Sequence, residues 1–369
     1  MIKLSKPYIP VSTLALIEQV IQSGNLVQGE QVLALESKLS KYLNIEHVII
    51  VSSGTAALHL SLVALGIKAG DEVIVPAYSF PAVANAVELT GASCCFVDIN
   101  LDDYCMDIRQ LEAKINKKTK AIMPVHEFGQ STDMNPIMGL ADKYNLHVIE
   151  DAACAIGTKY DNQFTGTFGD MGCFSFHPRK ILTTGEGGAI TTRDKTLADK
   201  LRQLRNHGIK STDGKIDFVL AGYNYRMTEF QASMGLSQLA ELNTTINIHR
   251  EQASLYHKAF GPIQGIHTDT TFENRFQTYQ TYHIIFESRQ VRDHVKKELY
   301  QLGVESNIGA YAIPAQSYFH NKYNLSKDDY TYADIAYKCG LALPVGRHLN
   351  EKEIHFISSS VIKLVQNGL

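Results

Sequence analysis

From about residue 47 the chain alternates short β-rich runs with segments of helical periodicity, and this alternation constrains the fold more than any other feature. The β-rich runs fall at residues 47–51, 72–75, 94–97, 121–125, 147–150, 172–176 and 189–192. Helical spacing of apolar residues fills several of the gaps, at 56–65, 81–89 and 134–144. Strands that alternate with helices predict βαβ units and a mainly parallel, seven-stranded sheet covered on both faces. Ligands of such α/β sheets bind outside the carboxyl ends of the strands.

The flanks of this region differ. Two helices are expected ahead of it, at 11–23 and 31–43, the second with an apolar stripe of Val32, Leu35, Leu39 and Leu43. Thr228 and Gln231 fit a capping box that opens a helix running to about Leu242. Beyond it the pattern becomes α+β: a strand at 282–286, a helix at 291–302, an extended stretch at 305–312, and a last helix capped by Asn350 with a stripe of Ile354, Ile357, Val361 and Leu364. A length of 369 residues accommodates two domains. The expected division is 1–244 as the large domain and 245–369 as a smaller C-terminal one, with the N-terminal segment free to pack on the latter.

Composition removes several function classes. Lys+Arg 35 against Asp+Glu 38 leaves a net charge of −3, which offers no electrostatic footprint for nucleic acid or an anionic membrane. No apolar run approaches the roughly 20 residues that span a bilayer; the longest, 56–67, contains His59. Residues 1–10 carry no apolar core of a secretory signal, so a cytoplasmic location is expected. The six cysteines form no Cys-x-x-Cys pair, which predicts reduced thiols and no metal site.

Three stretches carry chemistry. Ser175-Phe-His-Pro-Arg-Lys180 runs from a buried-looking strand to a lone lysine, followed by a glycine-rich turn, 184–189. A lysine desolvated there would have a lowered pKa and suit Schiff-base chemistry; a solvated loop lysine is the alternative. Ile49-Ile-Val-Ser-Ser-Gly-Thr55 feeds a strand directly into a helix, presenting unpaired backbone N–H groups and the hydroxyls of Ser53 and Thr55 to an anion. It has neither the lysine of a P-loop nor the spacing of a dinucleotide fingerprint, and a simple helix cap is its alternative. His147-Val-Ile-Glu-Asp151 ends an apolar strand on two acids before small residues. Asp151 could hold a protonated ring nitrogen, or merely cap a helix.

Together with 70–77 (Gly-Asp-Glu-Val-Ile-Val-Pro-Ala), 124–130 (Pro-Val-His-Glu-Phe-Gly-Gln), 222–229 (Gly-Tyr-Asn-Tyr-Arg-Met-Thr-Glu) and 341–344 (Leu-Ala-Leu-Pro), these stretches stand in one register over nearly the whole chain. The series resembles the fold-type I pyridoxal-phosphate enzymes of the aspartate aminotransferase superfamily, and within them the DegT/DnrJ/EryC1/StrS sugar aminotransferases. The resemblance implies that Lys180 holds the cofactor covalently and moves a proton. It implies that Asp151 pairs with the pyridinium nitrogen, that Gly54, Thr55 and Ser175, beside Ser53, bind the phosphate, and that Phe80 stacks on the ring. Asn224 is implied to reach the phosphate of a neighbouring subunit, and hence a homodimer with shared sites. Pyridoxal 5′-phosphate, cycling through pyridoxamine 5′-phosphate, would carry an amino group from glutamate to a nucleotide-linked keto sugar.

Departures from the family pattern are local. Cys154 stands where a glutamine usually contacts the cofactor's phenolic oxygen, Arg179 and Ile181 flank the lysine in place of Thr and Asn, and residues 309–316 replace a His-Tyr-Pro…His segment near the sugar. His126, His177, Glu186 and Tyr311 are the candidate substrate contacts, with a structural role as the alternative for both histidines. Relatives that carry His in place of the lysine are dehydratases, so the retained Lys180 favours transamination. A dehydratase, or a regulatory relative that binds without turnover, is the competing expectation.

Overall fold

The computed structural model describes residues 1–366. Its large sheet has seven strands: β1 (His47–Val51), β2 (Glu72–Pro76), β3 (Ser93–Val97), β4 (Thr119–Ile122), β5 (His147–Asp151), β6 (Met171–Ser175) and β7 (Gly188–Thr192). They lie in the order β1-β7-β6-β5-β4-β2-β3. Only β7 runs antiparallel to its neighbours; the other pairings are parallel. Each run read from the sequence is one of these strands. The largest displacement is at β4, which stops at Ile122 because Pro124 has no N–H to offer a ladder.

Continuous apolar runs are needed because both faces are covered. Val73, Ile74 and Val75 are all fully buried. The helix Gly54–Ala64 crosses one face and buries residues around its whole circumference, from Ala56 to Leu62 and at Ala64. Helices Thr13–Ser23, Glu30–Leu43 and Glu229–Leu239 lie on the other face, where Leu35, Leu39 and Leu43 pack with Ile50, Ala232 and Leu236. The Thr228–Gln231 capping box is present. The helix it opens ends at Leu239 rather than near Leu242, and a new helix, Leu242–Phe260, begins three residues later.

A smaller antiparallel sheet follows: β8 (Ile266–Thr268), β9 (Tyr282–Phe286) and β10 (Gly340–Leu343), with β9 central. Tyr256, Phe260, Tyr282, Leu299, Ile354, Ile357 and Val361 form its core. Asn350 and Glu353 cap the last helix, Glu351–Gln366, reciprocally. The extended stretch expected at 305–312 pairs as a strand only at Tyr311–Ala312, against Tyr78–Ser79 of the large-sheet side. The chain start packs here as well: Ile2 donates its N–H to the Gly303 carbonyl at 2.7 Å. Among the described residues no helix is long and apolar enough to cross a membrane.

Candidate active site

β1, β5 and β6 end at one edge of the sheet, and a cavity of about 370 Å³ opens there. Its wall takes Ser53, Gly54 and Thr55 from the start of the helix after β1, Asp151 and Cys154 from the end of β5, and Ser175, His177 and Lys180 from the segment after β6. Phe80 and Glu186, also read from the sequence, join them, and Gln280 and Gly309 enter from the C-terminal part of the chain.

Local structure explains each placement. Ser53 is extended and caps the helix, its hydroxyl accepting the Ala56 N–H at 3.0 Å. Cap and anion cup are therefore one device: the remaining first-turn N–H groups have no partner within the helix and point outward. A Cβ at Gly54 would lie 2.8 Å from the Ser175 Cβ, so glycine lets the two segments meet. Lys180 is set by a turn in which its N–H donates to the His177 carbonyl at 2.9 Å. Phe176 anchors that turn, taking a bond from Thr184 N at 2.9 Å and one from the Thr183 hydroxyl at 2.8 Å. Asp151 Oδ1 accepts the Ala153 N–H at 3.0 Å.

The electrostatics depart from the sequence expectation at Lys180. Burial works against its charge, but Cys154, Glu127 and Asp151 together outweigh that and hold its pKa above the ordinary lysine value. Its Nζ donates to Cys154 Sγ at 2.9 Å. Burial pushes the Cys154 thiol up, with the lysine working the other way. Burial also raises Asp151, against the pull of the Ala153 N–H, Lys180 and His126. His177 is lowered, chiefly by burial.

Three residues expected at the site lie outside the cavity wall. His126 is fully buried with both nitrogens engaged: Nδ1 accepts the Thr132 N–H at 3.1 Å, and Nε2 donates to Glu150 Oε2 at 3.0 Å. Glu150 spends its remaining capacity on the N–H groups of Gly166, Phe168 and Gly169, so the pair is structural and His126 has nothing left for a substrate. Tyr311 flanks the mouth, its ring 6.3 Å from that of Phe80, placed there by the pairing of Tyr311 with Ser79. Asn224 is exposed on the surface, bridged through its backbone to Asn206.

Sequence reasoning overlooked Glu127, Ser79 and Gln280, all of which line the cavity. An acid two residues after the apolar run 121–125 was a readable sign for Glu127. Nothing marked Gln280, which lies a hundred residues beyond Lys180 and is brought in by a bond from its Nε2 to the Arg179 carbonyl at 2.7 Å.

The residues present fit pyridoxal phosphate. A glycine-lined helix start suits a phosphate, a strand-end carboxylate suits a ring nitrogen, and Lys180 offers the amine. Phe80, a large aromatic side chain 65% exposed at the wall, suits a flat ring. This strand order with this cavity is the fold of the pyridoxal-phosphate-dependent transferases.

Comparison with known proteins narrows the class. Residues 7–362 match the model of the DegT/DnrJ/EryC1/StrS aminotransferase family. Among relatives, GDP-perosamine synthase of Escherichia coli O157:H7 is 36% identical over 334 residues, covering 90% of each chain. A UDP-N-acetyl-3-dehydro-alpha-D-glucosamine 3-aminotransferase of Acidithiobacillus ferrooxidans is 36% identical, covering 95% of this chain and 93% of that one. The solved structure of a putative sugar aminotransferase, Spr1654 from Streptococcus pneumoniae, in its PMP form superposes with a TM-score of 0.94 at 27% identity, over 99% of both chains. The chain belongs to the DegT/DnrJ/EryC1/StrS aminotransferase family.

Proposed function

We propose that this chain is a pyridoxal-phosphate-dependent aminotransferase that takes an amino group from glutamate and delivers it to a nucleotide-linked keto sugar, in the biosynthesis of surface polysaccharides or related glycans. The observation that carries this reading is the meeting of Lys180, Asp151 and the helix start at Ser53–Thr55 around one cavity. Both relatives described above bear names that place them on GDP- or UDP-linked sugars, which supports the substrate class.

When bound, the cofactor supplies an electron sink for the carbon that gains or loses the amine. The protein's own residues do the rest. Ser53, Gly54, Thr55 and Ser175 hold the phosphate through backbone N–H groups and hydroxyls. Asp151, buried at the end of β5, keeps a ring nitrogen protonated by offering it a fixed negative partner. Phe80 covers one face and excludes water from it. Lys180 Nζ binds the cofactor and carries a proton to and from the reacting carbon. His177, Glu186 and Tyr311, at or beside the wall, are the residues we assign to the sugar side.

The site acts within a homodimer in the cytoplasm. Asn224 supports this, because its exposure leaves it free to reach the site of a second copy. The large domain spans 1–244 and the small one 245–369. Purified protein loaded with the cofactor should change its visible absorbance when glutamate is added, and should form 2-oxoglutarate in step with amination of a keto-sugar nucleotide. Lys180→Ala should abolish both. A protein that takes up no cofactor, or that consumes keto sugar without forming 2-oxoglutarate, overturns the reading.

A further inference from the structure

One ionisable group in the cavity wall has no task in the scheme above. Glu127 is 4% exposed, yet its Oε2 has no hydrogen-bond partner among the described residues. A buried carboxyl oxygen without a partner is costly, and a side chain placed there only for packing would be better apolar.

The backbone holds it in place at a further cost. Phe128 has φ 57 and Gly129 φ 88, and the first of these is a strained conformation for a bulky residue. Glycine is needed at 129, because a Cβ there would meet Thr278 Oγ1 at 2.6 Å. The Phe128 ring stacks on His283 with centroids 4.7 Å apart, which fixes the turn from the far side. Strain at this point aims Glu127 into the wall that Lys180 also lines.

The groups around Glu127 come from three segments. Lys180 faces it from the turn after β6, Asp151 and Cys154 from the end of β5, and Tyr78 with the Ser79 hydroxyl from the segment after β2. Lys180 is the cation of this set. Burial pushes Glu127 up to about 7, with Ser79 and Lys180 working against it and Asp151 with it. Burial also raises the Cys154 thiol and the Tyr78 hydroxyl, which ordinarily titrate well above neutral. Glu127 is thus a carboxyl placed to change its charge in the neutral range.

We propose that Glu127 is the proton partner of Lys180: through one bridging water its free Oε2 takes the proton that Nζ gives up and returns it, the Nζ–H bond and one water O–H bond breaking as a new water O–H bond and the Oε2–H bond form. No electron or other atom is exchanged. Glu127 is thus a positioning residue that acts through Lys180, and the proposal rests on the aminotransferase reading of the site.

The test uses the full chain, wild type and Glu127→Gln, with pyridoxal phosphate as the probe. Two quantities are followed from pH 5.5 to 9: the rate at which the apoprotein captures the cofactor, and the pH midpoint of the visible absorbance change of the loaded protein. Wild type should show an inflection in capture rate near pH 7, and E127Q should lose it. The absorbance midpoint of E127Q should fall by about one pH unit, because a nearby negative charge that supports the protonated form is gone. An inflection and a midpoint unchanged in E127Q overturn the proposal. Should E127Q fail to melt cooperatively, Glu127→Asp decides, since its carboxyl should preserve an inflection that, if absent, overturns the proposal. Wild-type protein that captures no cofactor defeats the aminotransferase reading itself. Wild-type protein that captures it at a pH-independent rate defeats only the role of Glu127.

Discussion

Gly54 has no side chain, and its Cα position is nevertheless decisive for the site. A methyl group there would sit 2.8 Å from Ser175 Cβ, between two segments that are both fixed by their neighbours. Overpacking of this kind costs about 1–3 kcal/mol. Here the strain falls on the cup that should hold the phosphate, so Gly54→Ala should raise the cofactor concentration for half-loading about ten- to hundredfold. An absorbance titration checks this, and an unchanged midpoint would remove Gly54 from the cup. The pH dependence of stability gives a second expectation at this scale. Glu127 titrates at about 7 in the folded chain against an ordinary value of 4.5. Below 4.5 both folded and unfolded chains hold the proton and nothing differs. As pH rises towards 7, the unfolded chain releases it and the folded one does not, so the native state loses stability through that window. Glu127→Gln should therefore match wild type at pH 4 and exceed it above pH 7, by at most about 3 kcal/mol. Thermal melts of the apoprotein at the two pH values measure the difference, and equal gaps at both would show that Glu127 is not shifted. The residues legible from sequence were those whose type and neighbours repeat a chemical pattern: Ser53, Gly54, Asp151 and Lys180. His126 looked equally suitable, but its engagement with Glu150 and Thr132 depends on a fold that spacing does not reveal.

The elements were legible where a period was long and bounded by a cap. The helices opened by Thr228 and Asn350 start where their caps stand. What the sequence hid was support between elements distant along the chain. The helix Glu30–Leu43 begins at Gly29, which has no side chain to cap it. Its orphan N–H groups are taken instead by Glu229, whose carboxylate accepts from Gly29, Gln31 and Val32 at 2.9, 2.7 and 3.1 Å. A charge at a helix N-terminus that also satisfies three donors combines two favourable effects. Glu229→Ala should destabilise the protein by about 3 kcal/mol, since bonds to a charged group contribute roughly 1.5–3 kcal/mol and buried donors are left bare. Glu229→Gln, which keeps one acceptor oxygen, should cost less. Urea midpoints separate the two variants, and an alanine variant as stable as wild type would show that water caps the helix equally well.

At the scale of the molecule, a net charge near zero means that an anionic substrate is held by local devices rather than by a general field. The cavity supplies them from segments as far apart as Ser53 and Gly309, so the site exists only when both parts of the chain are folded together. The link between those parts is not a loop. Helix Leu242–Phe260 starts in the core under the large sheet, with Leu242 and Ile246, and finishes in the core of the small one, with Ala253, Tyr256 and Phe260. A change of pattern near residue 244 was visible in the sequence, but a helix that serves two cores leaves no mark there, because its apolar stripe is continuous. Such a strut transmits unfolding from one core to the other, which predicts a single calorimetric transition for the wild-type chain. Glu251 is exposed near the middle of this helix, so replacing its side chain removes no core contact. Glu251→Pro should break the strut at a cost of about 3 kcal/mol or more through the lost bond and the ring clash. The transition should then split in two, with the part built on β8–β10 melting first because it has the smaller core. Two transitions already present in wild type would show that the cores are independent and that the helix joins them without coupling them.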